Sequence, residues 1–387
     1  MFIATVIIMT LLLFSGCSHS MDEGKKNPEK GWQQEGSMEL KYAENFNVDY
    51  YKGGYSLISI SDGSKYLVVP EGQGIPTDLD KGITVLKQPI NNIYLVATSA
   101  MCLFDAMDSL DTISLSGTKA EDWYIENART AMEAGHIIYA GKYNIPDYEL
   151  IMSNNCSLAI ESTMINHTPE VKEKLKELGI PVLTDQSSYE SHPLGRTEWI
   201  KLYGLLTGKE SEAKKIFDEQ AGYIDKLADQ EKTDKTVAFF YISSSGNAIA
   251  RKSGDYVTRM IELAGGKYIF DHLGNPESAT STVTLEMEEF YATAKNADFI
   301  IYNSAIDGEL SSVEELIGKN SLLKDFKAVK NNNVWCTNKN MFQETTQFGL
   351  MISDIRRMLT DDGKDLTELN FMYKLPAADG EKLNGKK

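Results

Sequence analysis

Cysteine, histidine and proline are scarce in this chain: 4 Cys, 5 His and 10 Pro among 387 residues. Cys17, Cys102, Cys156 and Cys336 are far apart and no C-x-x-C pair occurs, so neither a zinc site nor a redox dithiol is indicated. Cys102, Cys156 and Cys336 lie in apolar or strand-like surroundings and read as small buried hydrophobes rather than nucleophiles. His136, His167 and His272 show no metal-ligand spacing such as H-x3-H, which argues against a bare zinc or manganese site. Basic charge is also short, with 39 Lys+Arg against 56 Asp+Glu and a net charge of −17. With no Lys/Arg cluster, no nucleic-acid partner is expected. Catalytic signatures are missing: there is no G-x-S-x-G, no Walker A and no H-E-x-x-H. Gly72-Gln73-Gly74 lacks the strand–helix context of a dinucleotide site, and a carboxylate pair such as Glu288-Glu289 is too common to mark one. No enzyme activity and no intrinsic cofactor are therefore expected. After the first residues, no apolar run is long enough to span a membrane. The remainder is ordinary for a globular chain, 42% hydrophobic and 25% charged, and its length suits about two domains.

The N-terminus carries the compartment signal. Phe2 to Phe14 is almost wholly apolar, the length of a signal-peptide core and short for a membrane span. It ends at Leu13-Phe14-Ser15-Gly16-Cys17, which resembles a bacterial lipoprotein cleavage site with Cys17 as the lipidated residue. No Lys or Arg precedes the apolar run and Phe14 stands where Leu is usual, so a buried N-terminal helix with a chance Cys is the alternative. Ser18 to Gly36 is polar and has little to bury, so it reads as a flexible tether.

Beyond it, strand-like and helix-like runs alternate. Tyr55–Ile60, a turn at Asp62-Gly63, and Lys65–Val69 read as a hairpin. Asn92–Ala97 is a compact strand, followed by a helix-like run from Ala100 to Leu110. Ser157–Ile160 is a buried strand; Thr168-Pro169 opens a helix with Val171, Leu175 and Leu178 on one stripe; Gly179 closes it and Pro181-Val182-Leu183 starts the next strand. The second half repeats this grammar, with a helix over 285–295, a strand over 298–302, a loop and helix over 307–330 and a strand over 333–336. Between the halves, Ala213, Ile216, Phe217, Ala221, Ile224, Leu227 and Ala228 fall at helical spacing, on a helix spanning about 30 Å. The organisation expected is a leader over 1–16, a tether over 17–40, an N-terminal α/β lobe over 41–209, a linking helix over 210–231, a C-terminal α/β lobe over 232–376 and a polar tail over 377–387.

The ordered set Gly141-Lys142-Tyr143, Pro146-Asp147-Tyr148-Glu149, Leu158 to Ile165, Gly179-Ile180-Pro181-Val182, Ser187 to Ile200, Gly254-Asp255-Tyr256, Ile261 to Gly266 and Leu285 to Glu289 ahead of Ala297 to Ile301 resembles the substrate-binding lipoproteins of ABC importers for iron complexes and cobalamin. The resemblance covers roughly residues 45 to 375. It implies two α/β lobes joined by one long helix, with the ligand in the cleft between them. It also implies capture of a metal chelate (a ferric siderophore, haem or a corrinoid) outside the cell by a monomer held to the membrane by its lipid, and delivery to a permease with its ATPase. The family docks on the permease through an acidic residue of each lobe. Glu170 is the candidate in the first lobe and Glu309 or Glu314 in the second, although a Glu in a first helical turn also complements the helix dipole.

Ligands of α/β sheets sit beyond the carboxyl ends of strands. In the first lobe that rule points to Ser99, Met101, Met164, Tyr189 and Glu190, with Trp123, Lys142 and Tyr143 at loop edges. In the second it points to Asn247, Arg251, Tyr302, Met341 and Phe342. Aromatic and Met side chains suit a flat, partly apolar ligand, and Arg or Lys an anionic one. Arg196 reads either as a ligand arm or as part of an ion-pair network with Glu190 and Glu198. The Tyr189–Trp199 cluster ranks first among the patches; its His192, held extended by Pro193, is a weak candidate for contact with a haem iron. Two rival readings remain: a surface receptor or sensor that holds the ligand without passing it on, and a two-lobe α/β enzyme.

Overall fold

A computed structural model describes residues 32–274, 281–360 and 366–377. The leader, Cys17 and the chain as far as residue 31 lie outside the described residues, as does the tail beyond 377. No helix among the described residues is long and apolar enough to cross a membrane.

The first sheet holds Gln34–Ser37, Phe46–Tyr51, Tyr55–Ile60, Lys65–Val69 and Ile83–Lys87 in that order, with the last pair parallel and the others antiparallel. The hairpin expected around Asp62-Gly63 is present: Gly63 takes φ 86°, and the Asp62 carboxylate accepts the Ser64 N–H at 2.9 Å. The polar stretch expected to be a tether as far as residue 40 is ordered earlier, because Gln34–Ser37 adds a strand to this sheet. From there the chain crosses the helix Pro193–Thr207 as a strap. The Glu198 carboxylate accepts the N–H groups of Lys41, Tyr42 and Ala43, and Glu190 accepts those of Glu44 and Asn45. A polar sequence that buries little is thus fixed through its backbone, by carboxylates far along the chain.

The second sheet is fully parallel: Val182–Asp185, Leu158–Ser162, Ile93–Leu95, Ile113–Ser116 and Ile138–Tyr139. The strand–helix–strand unit read from the sequence is present as Leu158–Ser162, the helix Pro169–Glu177 and Val182–Asp185, with Val171 and Leu175 buried. The third sheet has Thr236–Ile242, Phe299–Tyr302 and Val334–Thr337 parallel at its centre. Lys267–Tyr268 also runs parallel to Thr236–Ile242, while Ala248–Arg251, Thr282–Leu285 and Met372–Lys374 are antiparallel additions. Two helix readings change here. Leu285 ends a strand and the helix starts at Met287. The run 307–330 breaks into Val313–Lys319 and Lys327–Lys330, because Asn320 turns extended and its side chain caps a short turn at Leu322.

The passage between the two large sheets is helical. The helix expected over 210–231 is present as Glu210–Ala228, with Ala213, Phe217, Ala221 and Ile224 buried, and it follows directly on a second helix, Pro193–Thr207. Gly208, at φ 71°, lets one helix turn directly into the next. The later helix Phe348–Thr360 packs back on Glu210–Ala228 so closely that a Cβ at Gly349 would lie 2.2 Å from the Gln220 carbonyl oxygen. Trp199, buried and in edge contact with Phe46 at 4.9 Å, ties the first sheet to these helices. Each such buried ring contributes roughly 1.5–3 kcal/mol relative to exposure.

Candidate functional site

A cleft of about 770 Å³ opens between the two lobes. Thr163, Ser188, Tyr189 and Arg196 line it from the first lobe, and Arg251, Lys252, Asp255, Tyr256, Ile306 and Phe342 from the second. The first-lobe group sits where the strands Leu158–Ser162 and Val182–Asp185 end, as the strand-end rule requires.

Arg196 projects from the first turn of Pro193–Thr207. Its Nη2 donates to the Ser188 carbonyl at 2.6 Å and its Nε to the Glu190 carbonyl at 3.3 Å. Its guanidinium rests 3.8 Å from the centre of the Tyr256 ring, so a charge of one lobe stacks on an aromatic of the other. Tyr256 in turn stacks on Phe348 at 5.2 Å, and burial pushes its phenol up to about 12. Beneath the Ser187–Tyr189 turn, Asp185 accepts the Ser187 N–H at 2.7 Å and is hydrogen-bonded to Tyr203, which fixes the turn that holds Arg196.

Arg251 ends the strand Ala248–Arg251, with Phe342 and Phe239 at 5.2 Å and 5.8 Å from its guanidinium. Its Nη1 lies 3.4 Å from Oδ2 of Asp255. Asp255 caps the helix Tyr256–Leu263 by accepting the Val257 N–H at 2.9 Å on Oδ1. Burial raises the Asp255 carboxyl and Arg251 draws it back down. Three cations, Arg196, Arg251 and Lys252, therefore face one carboxylate in this lining, within a chain of net charge −17.

Of the residues picked out from the sequence, Tyr189, Arg196, Arg251 and Phe342 line the cleft together. Tyr189 is 52% exposed there. Arg196 bonds to backbone carbonyls and not to the carboxylates of Glu190 and Glu198, so the ion-pair network considered for it is not formed. Ser99 lies just behind, its Oγ 3.5 Å from that of Ser187. Met164 is exposed beside Thr163 and is not part of the lining. Glu190 is a correction: it is buried, holds the strap and accepts the Trp199 Nε1–H at 2.9 Å. Met101, Trp123, Tyr302 and Met341 are corrections of the same kind, since all are core residues. Tyr302 is held through its hydroxyl, which donates to Asp307 and accepts the Ile242 N–H. Lys142 is exposed on a two-residue strand, Tyr143 is half-buried against a first-lobe apolar cluster that includes Tyr94 and Leu115, and Asn247 bonds Glu286; none lines the cleft. His192 caps Pro193–Thr207 by accepting the Leu194 N–H on Nδ1, stacks on Tyr42 at 4.2 Å, and burial lowers it to about 4; it also lies outside the cleft lining. Sequence reasoning missed Thr163, Ser188, Lys252, Asp255, Tyr256, Ser281, Thr282 and Ile306, although Gly254-Asp255-Tyr256 carried a legible signal as an N-cap opening a helix.

Burial pushes the Cys102 and Cys336 thiols up to about 12 and that of Cys156 to about 11, which keeps all three protonated. Among the described residues, no group of three or more His, Cys, Asp or Glu is placed to hold a metal ion. Glu170 and Glu314 are exposed in the first turns of Pro169–Glu177 and Val313–Lys319, and Glu309 pairs with Lys339 at 3.2 Å.

Two ties bridge the lobes near the cleft. The Gln343 side chain donates to the Asp122 carbonyl and accepts the Tyr124 N–H, both at 2.8 Å. Thr197 Oγ1 donates to the Thr345 carbonyl at 2.7 Å.

The profile of the periplasmic binding protein family matches residues 111–340. An uncharacterized lipoprotein of Methanocaldococcus jannaschii is 26% identical over 382 residues, covering 91% of this chain and 89% of its own. A second one from that organism is 25% identical, covering 87% of this chain and 86% of its own. Among solved structures, a periplasmic haem-binding protein of Vibrio cholerae aligns with a TM-score of 0.54 at 17% identity, covering 68% of this chain and 97% of its own. A possible iron-binding periplasmic protein of Staphylococcus epidermidis aligns at 0.54 and 18%, covering 69% and 98%. At such identities the structural likeness concerns the fold. Matched over more than half of its length, and built as two α/β lobes about a cleft, this chain belongs to the periplasmic binding protein family, whose members bind solutes and are not enzymes.

Proposed function

We propose that the protein is an extracytoplasmic lipoprotein, anchored through Cys17, that captures a metal chelate in the inter-lobe cleft and delivers it to an ABC-importer permease and its ATPase. The cargo is a ferric siderophore, haem or a corrinoid. The observation that carries this reading is the cleft itself, lined from both lobes, with Arg196 of one lobe stacked on Tyr256 of the other and Arg251 beside Phe342. A chelate brings its own metal ligands, so the protein needs to recognise only an outer shape and charge. The relatives named as lipoproteins and the structural neighbour named as haem-binding support the compartment and the ligand class. Glu170 on the first lobe and Glu309 or Glu314 on the second would meet basic residues of the permease, and the protein would work as a monomer.

The test is the thermal midpoint of the full-length chain in detergent, measured against ferric siderophores of several classes, haem and cobalamin. A ligand at a hundred times its Kd adds about 2.7 kcal/mol to stability, a shift of a few degrees. One chelate class producing that shift is the expected result; no shift with any of them overturns the reading.

A further inference from the structure

The two cleft arginines are compensated differently. Arg196 is held by two neutral carbonyls and a ring face, and among the described residues no carboxylate is in ion-pair contact with it. Arg251 has one carboxylate neighbour among the described residues, Asp255, at 3.4 Å. That separation is longer than the roughly 2.7–2.9 Å of a well-made charged pair. The cause is geometric. Asp255 is anchored by its other oxygen, which caps the helix at the Val257 N–H, so it cannot advance on Arg251 without giving up the cap. Both partners are nearly enclosed, the side chains being 11% and 2% exposed.

We propose that Asp255 occupies at Arg251 a place for which an oxyanion of the cargo competes, and that the cargo is a chelate displaying such oxyanions. This rests on the chelate-binding reading and narrows it. A carboxylate or catecholate oxygen entering the cleft completes the fork of Arg251 and reaches the free donor edge of Arg196, gaining two charge-assisted contacts from opposite lobes. Asp255 opposes that entry by like-charge repulsion, so it sets a threshold: singly and weakly charged ligands lose to it, and oxyanion-rich ones win. A neutral chelate offers the arginines only uncharged acceptors, too weak to displace Asp255, and leaves the Arg251–Asp255 pair intact. Asp255 is therefore a specificity-determining residue whose contribution to anion affinity is negative.

The experiment measures Kd by titration on the full-length chain, using ferric citrate, a trianionic ferric tris-catecholate and haemin as anionic probes, with a neutral ferric trihydroxamate and cyanocobalamin as uncharged ones. Asp255→Asn keeps the helix cap, since Asn serves that position as well as Asp does. It should tighten the best anionic probe on the order of tenfold, the scale of one removed charge at short range in a partly dry site. Arg251→Gln should weaken the same probe by roughly ten- to a hundredfold. Neutral probes should change by less than about twofold, a small free-energy difference. The identity of the tightest anionic probe separates catecholate, citrate and haem propionate as the source of the oxyanions. An Asp255→Asn variant that keeps its thermal midpoint but binds the anionic probe no better, or worse, overturns the inference and leaves chelate binding standing. A neutral probe that binds tightest and ignores Arg251→Gln does the same. No binding of any chelate by wild type or variant overturns both.

Discussion

Glu161 sits wholly buried in the strand Leu158–Ser162, and neither carboxylate oxygen has a hydrogen-bond partner. Its register neighbour Thr184 takes the Lys172 ammonium at 2.9 Å, and Lys172 also approaches Asp62 at 3.9 Å, so the nearest cation is engaged elsewhere. Burial, only partly offset by Lys172, pushes Glu161 up to about 8 from 4.5. The folded state therefore holds this proton more firmly than the unfolded chain. The resulting stabilisation is complete below about 4.5, declines as pH rises and is gone above about 8. Glu161→Gln should flatten this part of the profile and raise stability at pH 8 on the order of a few kcal/mol, read from urea midpoints between pH 5 and 8. In the sequence Glu161 stood just past the strand read over Ser157–Ile160, which the structure extends to Ser162. Leu158-Ala159-Ile160 identifies a buried strand, but a strand buried on both faces loses the alternation that would show where the next side chain points. Glu190 and Met101 were misread for a related reason: position after a strand says that a residue is near the cleft, not which way it turns.

Elements were legible where one apolar face repeats, as in Pro169–Glu177 and Glu210–Ala228. They were not legible where order comes from distant partners. The strap over Lys41–Asn45 is the clearest example, because its five N–H groups are satisfied by two carboxylates of one helix region. Glu198→Ala would leave three of them without their acceptor and take from the Lys201 ammonium, now 2.7 Å from Glu198, its carboxylate partner, leaving it the Glu39 carbonyl. The expected cost is about 3 kcal/mol, seen as a lowered thermal midpoint and fast amide exchange confined to residues 41–43. The close approach of Phe348–Thr360 to Glu210–Ala228 makes a second case. A methyl at Gly349 must push the Gln220 carbonyl aside, so Gly349→Ala should cost about 2 kcal/mol or more, while Gly222→Ala, which meets nothing within 4 Å, should be neutral or slightly stabilising. The comparison of the two midpoints checks this.

For the whole molecule, the two-lobe plan could be read from repeated strand–helix grammar, and the cleft from the resemblance. The pairings that make the site could not. Arg196 meets Tyr256 only because the two lobes face one opening, and Arg251 meets Phe342 only because segments far apart in the chain return to the same sheet. Paired helices at the crossing and two hydrogen-bonded ties limit how far the lobes part. Scattering curves with and without the chelate should nearly superimpose, and Gln343→Ala combined with Thr197→Val should broaden the ligand-free curve alone. Charge reversal at Glu170, such as Glu170→Lys, should leave chelate affinity unchanged within about twofold. It should reduce stimulation of the permease-coupled ATPase several-fold, measured in reconstituted vesicles.

Gln343 engages the opposite lobe with both ends of a single planar amide, one giving a proton and the other receiving one. Rotating that plane far enough weakens both bonds at once, so the two contacts are made and lost as a unit. Because both bonds are lost together, the side-chain amide protons of Gln343 and the Tyr124 N–H should report opening of this tie as one and the same exchange process, measured by relaxation dispersion.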